Sequence, residues 1–143
     1  MGVNTCEVRV GRLMEIRIDH GYNSLDDVED MRAKINRGFQ QVGPEQQVVV
    51  VADWRHTRLM AAEASDSAGK MIGSFNDRIE RSGVVAAGDS PLAVLQFLRV
   101  IRESKHPRRK LCNDVQELKQ WLGELLTPGE AQRLDEFIAR ADL

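Results

Sequence analysis

The chain has 143 residues, with 20 lysines and arginines against 22 aspartates and glutamates and a formal charge of −2. That balance gives no global attraction to nucleic acid or a membrane surface, and no DNA partner is expected. The length suits one domain that buries roughly two thirds of its unfolded surface. The two cysteines, Cys6 and Cys112, have no C-x-x-C or Cys/His spacing, so the sequence indicates neither a metal site nor a disulfide framework. The first residues lack a leader's basic and apolar regions, and no apolar stretch reaches spanning length, so the expected setting is cytoplasmic.

The first elements read as a hairpin. Cys6, Val8 and Val10 alternate with Glu7 and Arg9, Gly11-Arg12 makes the turn, and Met14, Ile16 and Ile18 alternate with Glu15 and Arg17. Alternation implies one wet face per strand and places the pair toward a sheet edge. Ser24 then caps a helix with Asp26 and Asp27 in its first turn, where the dipole favours anions. Its stripe of Val28, Met31, Ile35, Phe39 and Val42 ends at Gly43-Pro44.

An unbroken run, Val48-Val49-Val50-Val51-Ala52, follows and stops at Asp53. It has no period-two alternation, so both of its faces must be covered, as in the centre of a helix-flanked sheet. Ala61, Ala64, Ala68, Met71, Ile72, Phe75 and Ile79 mark a second helix, weakened by Gly69 and Gly73. Residues 82–88 form a short fourth strand of small residues. Ser90-Pro91 starts a third helix whose stripe is Leu92, Leu95, Leu98 and Ile101. Arg109–Cys112 is a brief, charged edge strand.

Asp114 opens a fourth helix carrying Val115, Leu118, Trp121, Leu122 and Leu125. Thr127-Pro128-Gly129-Glu130 is a capping box for the last, whose apolar face is Leu134, Phe137, Ile138 and Ala141. So short a helix needs its apolar face buried, preferably against the preceding helix. Dimerisation through the remainder of that helix is a further expectation.

The predicted order ββαβαβαβαα describes one α/β domain over residues 1–143, with a mixed sheet of four to five strands and parallel pairing after the hairpin. Val49, Val51, Leu95 and Trp121 are expected to share one core. The hairpin, the Val48–Asp53 and Val84–Gly88 strands, and Asp114-Val115-Gln116-Glu117-Leu118-Lys119-Gln120-Trp121-Leu122 together resemble the STAS fold of anti-sigma-factor antagonists, and more closely bacterial STAS-like proteins. The resemblance covers about residues 5–125 and leaves residues 127–143 as an addition. It implies a regulatory module that binds a protein partner.

A phosphorylatable STAS domain is expected to carry an Asp-Ser-Ser-Gly-like motif opening the helix after the central strand. The nearest string here is Ser65-Asp66-Ser67-Ala68-Gly69, too far from Asp53 and inside the second helical stripe. Ser65 and Ser67 are therefore expected on that helix's polar face. Asp53, Trp54, Arg55, His56 and Arg58 form the candidate binding edge, at the carboxyl end of the central strand where α/β sheets place ligands. Trp54 is expected to pack rather than stack on a ligand. Arg99, Arg102, Lys105, His106, Arg108, Arg109 and Lys110 make a candidate basic patch, without the aromatics that nucleic-acid binding uses.

No catalytic triad, metal set or phosphate loop is legible, and no cofactor is implied. The sequence therefore points to a non-enzymatic regulatory or scaffolding module with a protein partner. One alternative is a small apolar-ligand or lipid binder resembling CRAL-TRIO carriers, with its pocket beneath the third helix. Another is a hydrolase or transferase using Asp53 and His56.

Overall fold

A computed structural model describes residues 3–139. The elements run β1 (Asn4–Val8), β2 (Leu13–Ile18), α1 (Leu25–Val42), β3 (Val48–Trp54), α2 (Ala62–Gly73), β4 (Ile79–Ala86), α3 (Pro91–Glu103), β5 (Arg109–Cys112), α4 (Val115–Gly123) and α5 (Pro128–Ile138). The α/β order is the predicted one. The five strands lie side by side in chain order; β1 and β2 are antiparallel and every later pair is parallel.

Three successive crossovers that advance in one direction must all use the same side of the sheet, given their common handedness. Helices α1, α2 and α3 accordingly share one core with Met14, Ile16, Val48, Val50 and Trp54. The opposite face is closed by α4 and α5 over Leu13, Val49, Val51 and Val85. Because strand order never reverses, the sheet has no switch point of the kind that opens a ligand crevice in doubly wound folds.

β3 is buried along its whole length, as its β-branched run requires. The hairpin lies at the sheet's edge as expected, but its second strand lacks the expected wet face. Only β1 is an edge; β2 is an interior strand whose charged face is covered by α5. On the exposed side of β1, Lys34 donates to the Asn4 carbonyl at 2.7 Å and Gln41 to that of Val8 at 2.6 Å, which blocks part of the free edge.

The second helix ends at Gly73, earlier than its apolar pattern implies. Ile79 begins β4 instead, after a 3-10 turn at Asn76–Arg78, and β4 stops at Ala86 rather than Gly88. Gly83 lets α4 lie directly on β4, since a Cβ there would come within 2.6 Å of the Leu118 side chain. Val49 and Val51 share the α4/α5 core with half-buried Trp121. Leu95 does not join them: it is 64% exposed, and α3 buries Ala93, Phe97 and Val100 instead.

The turn between α3 and β5 contains a pH-sensitive contact. His106 Nε2–H donates to the Ile79 carbonyl at 2.6 Å, while its Nδ1 accepts from the Arg108 N–H at 3.0 Å. The second contact requires the neutral ring, and burial, outweighing the Ile79 hydrogen bond, lowers its pKa below the ordinary 6.5. A pKa depressed in the folded state means the unfolded chain binds more protons. This contribution is present above about pH 6.5 and is lost as pH falls below it. Thermal melts of wild type and His106→Gln at pH 7.5 and pH 5 are expected to show a smaller acid-induced loss in the variant.

Candidate functional site at the carboxyl edge of the sheet

The residues of the predicted binding edge do not form one cluster. Successive side chains of a strand point to opposite faces, so Asp53 and Trp54 separate at once. Trp54 packs among the α1–α3 helices, edge-on to Phe97 with ring centroids 5.3 Å apart. Asp53 turns to the other face and is 1% exposed. Neither reaches a binding surface, which corrects the expectation for both.

Asp53 is occupied by two arginines. Arg17, its neighbour in the β2–β3 register, meets Oδ2 at 2.8 Å, and Arg55 meets Oδ1 at 2.9 Å. The same guanidinium groups reach the end of α5. Arg17 donates to the Phe137 carbonyl at 2.8 Å and lies 4.0 Å over the Phe137 ring, and Arg55 donates to the Ile138 carbonyl at 3.0 Å. The last carbonyls of a helix lack intrahelical partners and carry the negative end of its dipole. The described last turn of α5 has no basic residue of its own. Two cations from β2 and the β3–α2 loop cap it, and Asp53 balances and orients them.

α5 is anchored at two further points. Arg133 forms a two-pronged pair with Glu15, at 2.8 and 3.0 Å, and that hydrogen bonding holds the guanidinium more basic than usual. Glu130 completes the capping box with Thr127 and also accepts the Arg12 N–H at 2.8 Å. Gly11, at φ +57°, leaves the room that this carboxylate fills. The charged residues of β2 and the end of β3 thus form the docking track of α5.

A cleft remains where the β3–α2 and β4–α3 loops leave the sheet. It has a volume of about 710 Å³, within the range of ligand pockets, and Ala93 and Phe97 supply apolar lining. Asp19, Arg55, His56, Arg58, Asp89 and Ser90 also line it, so three residues of the predicted binding edge meet here, whereas Asp53 and Trp54 do not. His56 lies 3.6 Å from Asp19. Arg58 is exposed and, among the described residues, has neither a hydrogen bond nor an ion pair. The Thr57 hydroxyl is held inward by the Ile18 carbonyl at 2.8 Å. The proposed Asp53–His56 partnership is therefore split: His56 keeps company with Asp19, and Asp53 is sealed under α5.

The basic run does not make a single patch. Arg99 is paired with Glu103 at 2.9 Å and approaches Asp66 at 3.6 Å. Arg102, Lys105, Arg108 and Lys110 are exposed. Arg109 is buried, bound by Asn76 at 3.1 Å and Ser104 at 2.7 Å, with its pKa lowered to about 10 by burial. The serines of α2 also divide. Ser65 is buried, contrary to its expected polar face, and Ser67 is half-buried.

Beneath α2 and α3 lies a cavity of about 40 Å³, lined by Tyr22, Phe75, Ile101, Arg109 and residues of the sheet. Of the α3 stripe expected to line such a pocket, Ile101 does so, whereas Leu92, Leu95 and Leu98 face outward. Among the described residues, no three His, Cys, Asp or Glu side chains gather as a metal set, and no helix is long and apolar enough to cross a membrane. Burial pushes the thiols of Cys6 and Cys112 up to about 12 and about 11, away from nucleophilic chemistry.

Periodicity marked the α3 leucines as core, so their exposure is the surface feature that sequence reasoning missed. A second stripe on the same helix, Ala93, Phe97 and Val100, is the signal that was available. Comparison with protein families, characterised proteins and solved structures finds no match.

Proposed function

We propose that the chain is a non-enzymatic, STAS-like regulatory module that holds an acidic segment of a protein partner in the carboxyl-edge cleft. The observation supporting this reading is the character of the cleft. Its rim offers the cation Arg58, without an ion-pair partner among the described residues, beside His56, while the nearest strand-end carboxylate is committed to α5. Such a rim suits the binding of an anionic group, and the Ser90 hydroxyl at its edge is taken up in capping α3, where it accepts from the Ala93 N–H. The hydrolase or transferase alternative loses its general acid/base pair to the same arrangement.

The test is capture from an extract of the native host on the immobilised full chain, with wild type and the Arg58→Glu variant compared by mass spectrometry. Arg58 is exposed, so the variant should melt with wild type. Loss of a specifically enriched protein on Arg58→Glu supports the reading. Equal enrichment by both chains would overturn it, as would a catalytic turnover abolished by His56→Ala.

A second reading, a carrier of a small apolar acid, draws on Arg109. Its buried guanidinium lines the apolar cavity and has no carboxylate partner among the described residues. The cavity is far below the size of an acyl-chain site, so α2 and α3 would have to part. Native mass spectrometry of freshly purified protein decides this: a co-purifying ligand released by Arg109→Leu favours the carrier, and its absence removes the reading.

A further inference from the structure

Helix α3 carries two apolar stripes and the fold uses one. Ala93, Phe97 and Val100 enter the core, whereas Leu92, Leu95 and Leu98 are 62%, 64% and 45% exposed. Three leucines in a row on one exposed helix face differ from the scattered surface hydrophobics of a soluble protein, and mark a face that something covers. α5, by contrast, buries Leu134, Phe137 and Ile138 within its own chain, so its described residues offer no further apolar face to a second subunit; Ala141 of the expected face lies outside the described residues.

The charges at the ends of the stripe say what covers it. Asp89 precedes the helix and Arg102 lies in its last turn; both are exposed and neither has an ion-pair partner among the described residues. The span between them is about 20 Å of helix. A second α3 laid antiparallel about a two-fold axis at Leu95 sets Leu95 against its own copy and Leu92 against Leu98. It also brings Asp89 of each chain to the Arg102 end of the other. The helix dipoles then oppose favourably. A parallel arrangement places like charges together at both ends. Self-complementarity of this kind is what an isologous interface requires.

We infer that the chain forms a two-fold homodimer through antiparallel packing of α3 on α3. The dimer brings Arg102 of the second copy to Asp89, which lines the cleft, so the cleft's rim is completed by the other chain. An anionic membrane fits the same face less well. Glu103 flanks it beside α2, Asp66 approaches it at Arg99, and Asp89 ends it, so carboxylates would meet the lipid headgroups.

The experiment uses the full chain in sedimentation equilibrium from roughly 1 to 200 µM, a range that covers micromolar association. A dimer is expected, and Leu95→Arg should raise its dissociation constant roughly 30-fold or more while leaving the circular dichroism spectrum and melting temperature unchanged. Asp89→Arg and Arg102→Asp should each weaken the dimer, and the double variant should recover it, because each chain then presents the exchanged pair. Leu95→Cys, lying on the axis, should form a covalent dimer under mild oxidation, whereas Ala33→Cys on the outer face of α1 should not.

A monomer throughout the range overturns the inference. So does a dimer indifferent to Leu95→Arg, a double charge exchange that fails to recover association, or binding of the monomer to phosphatidylserine vesicles through these leucines. Loss of the dimer with capture of the cleft partner intact would leave the proposed function standing, and the reverse result would leave the dimer standing.

Discussion

Replacing Arg133 by alanine is expected to destabilise the fold by roughly 3–5 kcal/mol, the cost of stranding a buried charge. Its partner Glu15 is 2% exposed, in the middle of an interior strand, and Arg133 supplies two hydrogen bonds to its carboxylate. Without Arg133, the carboxylate must stay buried uncompensated, take up a proton or admit water by lifting α5. Urea denaturation measures the loss. Replacing both residues, Glu15→Leu with Arg133→Leu, should recover most of it, because a buried pair contributes little net stability over a packed apolar pair. The exposed pair Lys119–Asp135, 3.2 Å apart on the same two-helix layer, is the contrast. Lys119→Ala should cost about 0.2–1 kcal/mol, as surface ion pairs do. Equal losses at Arg133 and Lys119 would show that α5 is not held by its charged track.

The contrast explains which features were legible in the sequence. Val48–Ala52 identified a doubly covered strand because β-branched residues without alternation have no other stable setting. Ser24, Ser90, Asp114 and Thr127 marked helix starts because each accepts a backbone N–H three residues on, a purely local interaction. β2 was misread because Glu15 and Arg17 alternate with apolar residues as a wet strand does. Their partners lie far away in sequence, at Arg133, Asp53 and Phe137, and no local pattern announces them. α3 was misread for a different reason. It offers two apolar stripes, and periodicity alone cannot say which faces the sheet.

The candidate site followed the same division. That a strand-end carboxylate matters was readable from its place after the valine run. Its role was not, because that role depends on where α5 ends.

Asp53→Ala is expected to cost a further roughly 3–5 kcal/mol, measured in wild type, and to act on α5 rather than on any chemistry. Removing the carboxylate takes from Arg17 and Arg55 the anion that they share and that orients both. Without that shared anchor the guanidinium groups are no longer held at the Phe137 and Ile138 carbonyls that they cap. The end of α5 should fray first. Amide hydrogen exchange in residues 134–138 should accelerate more than in β3 itself, whose neighbours on either side keep their ladder bonds. Asp53→Asn keeps the shape and one acceptor oxygen for a guanidinium but not the charge, so an intermediate loss is expected. Arg55→Ala removes one cap and leaves Asp53 paired with Arg17, so it should cost less than Asp53→Ala. Binding at the cleft supplies the second readout, since among the described residues no side-chain contact joins Asp53 to His56 or Arg58. If Asp53→Asn abolished partner capture while melting temperature and exchange in α5 stayed unchanged, the carboxylate would belong to the binding site and its assignment as the anchor of α5 would be wrong.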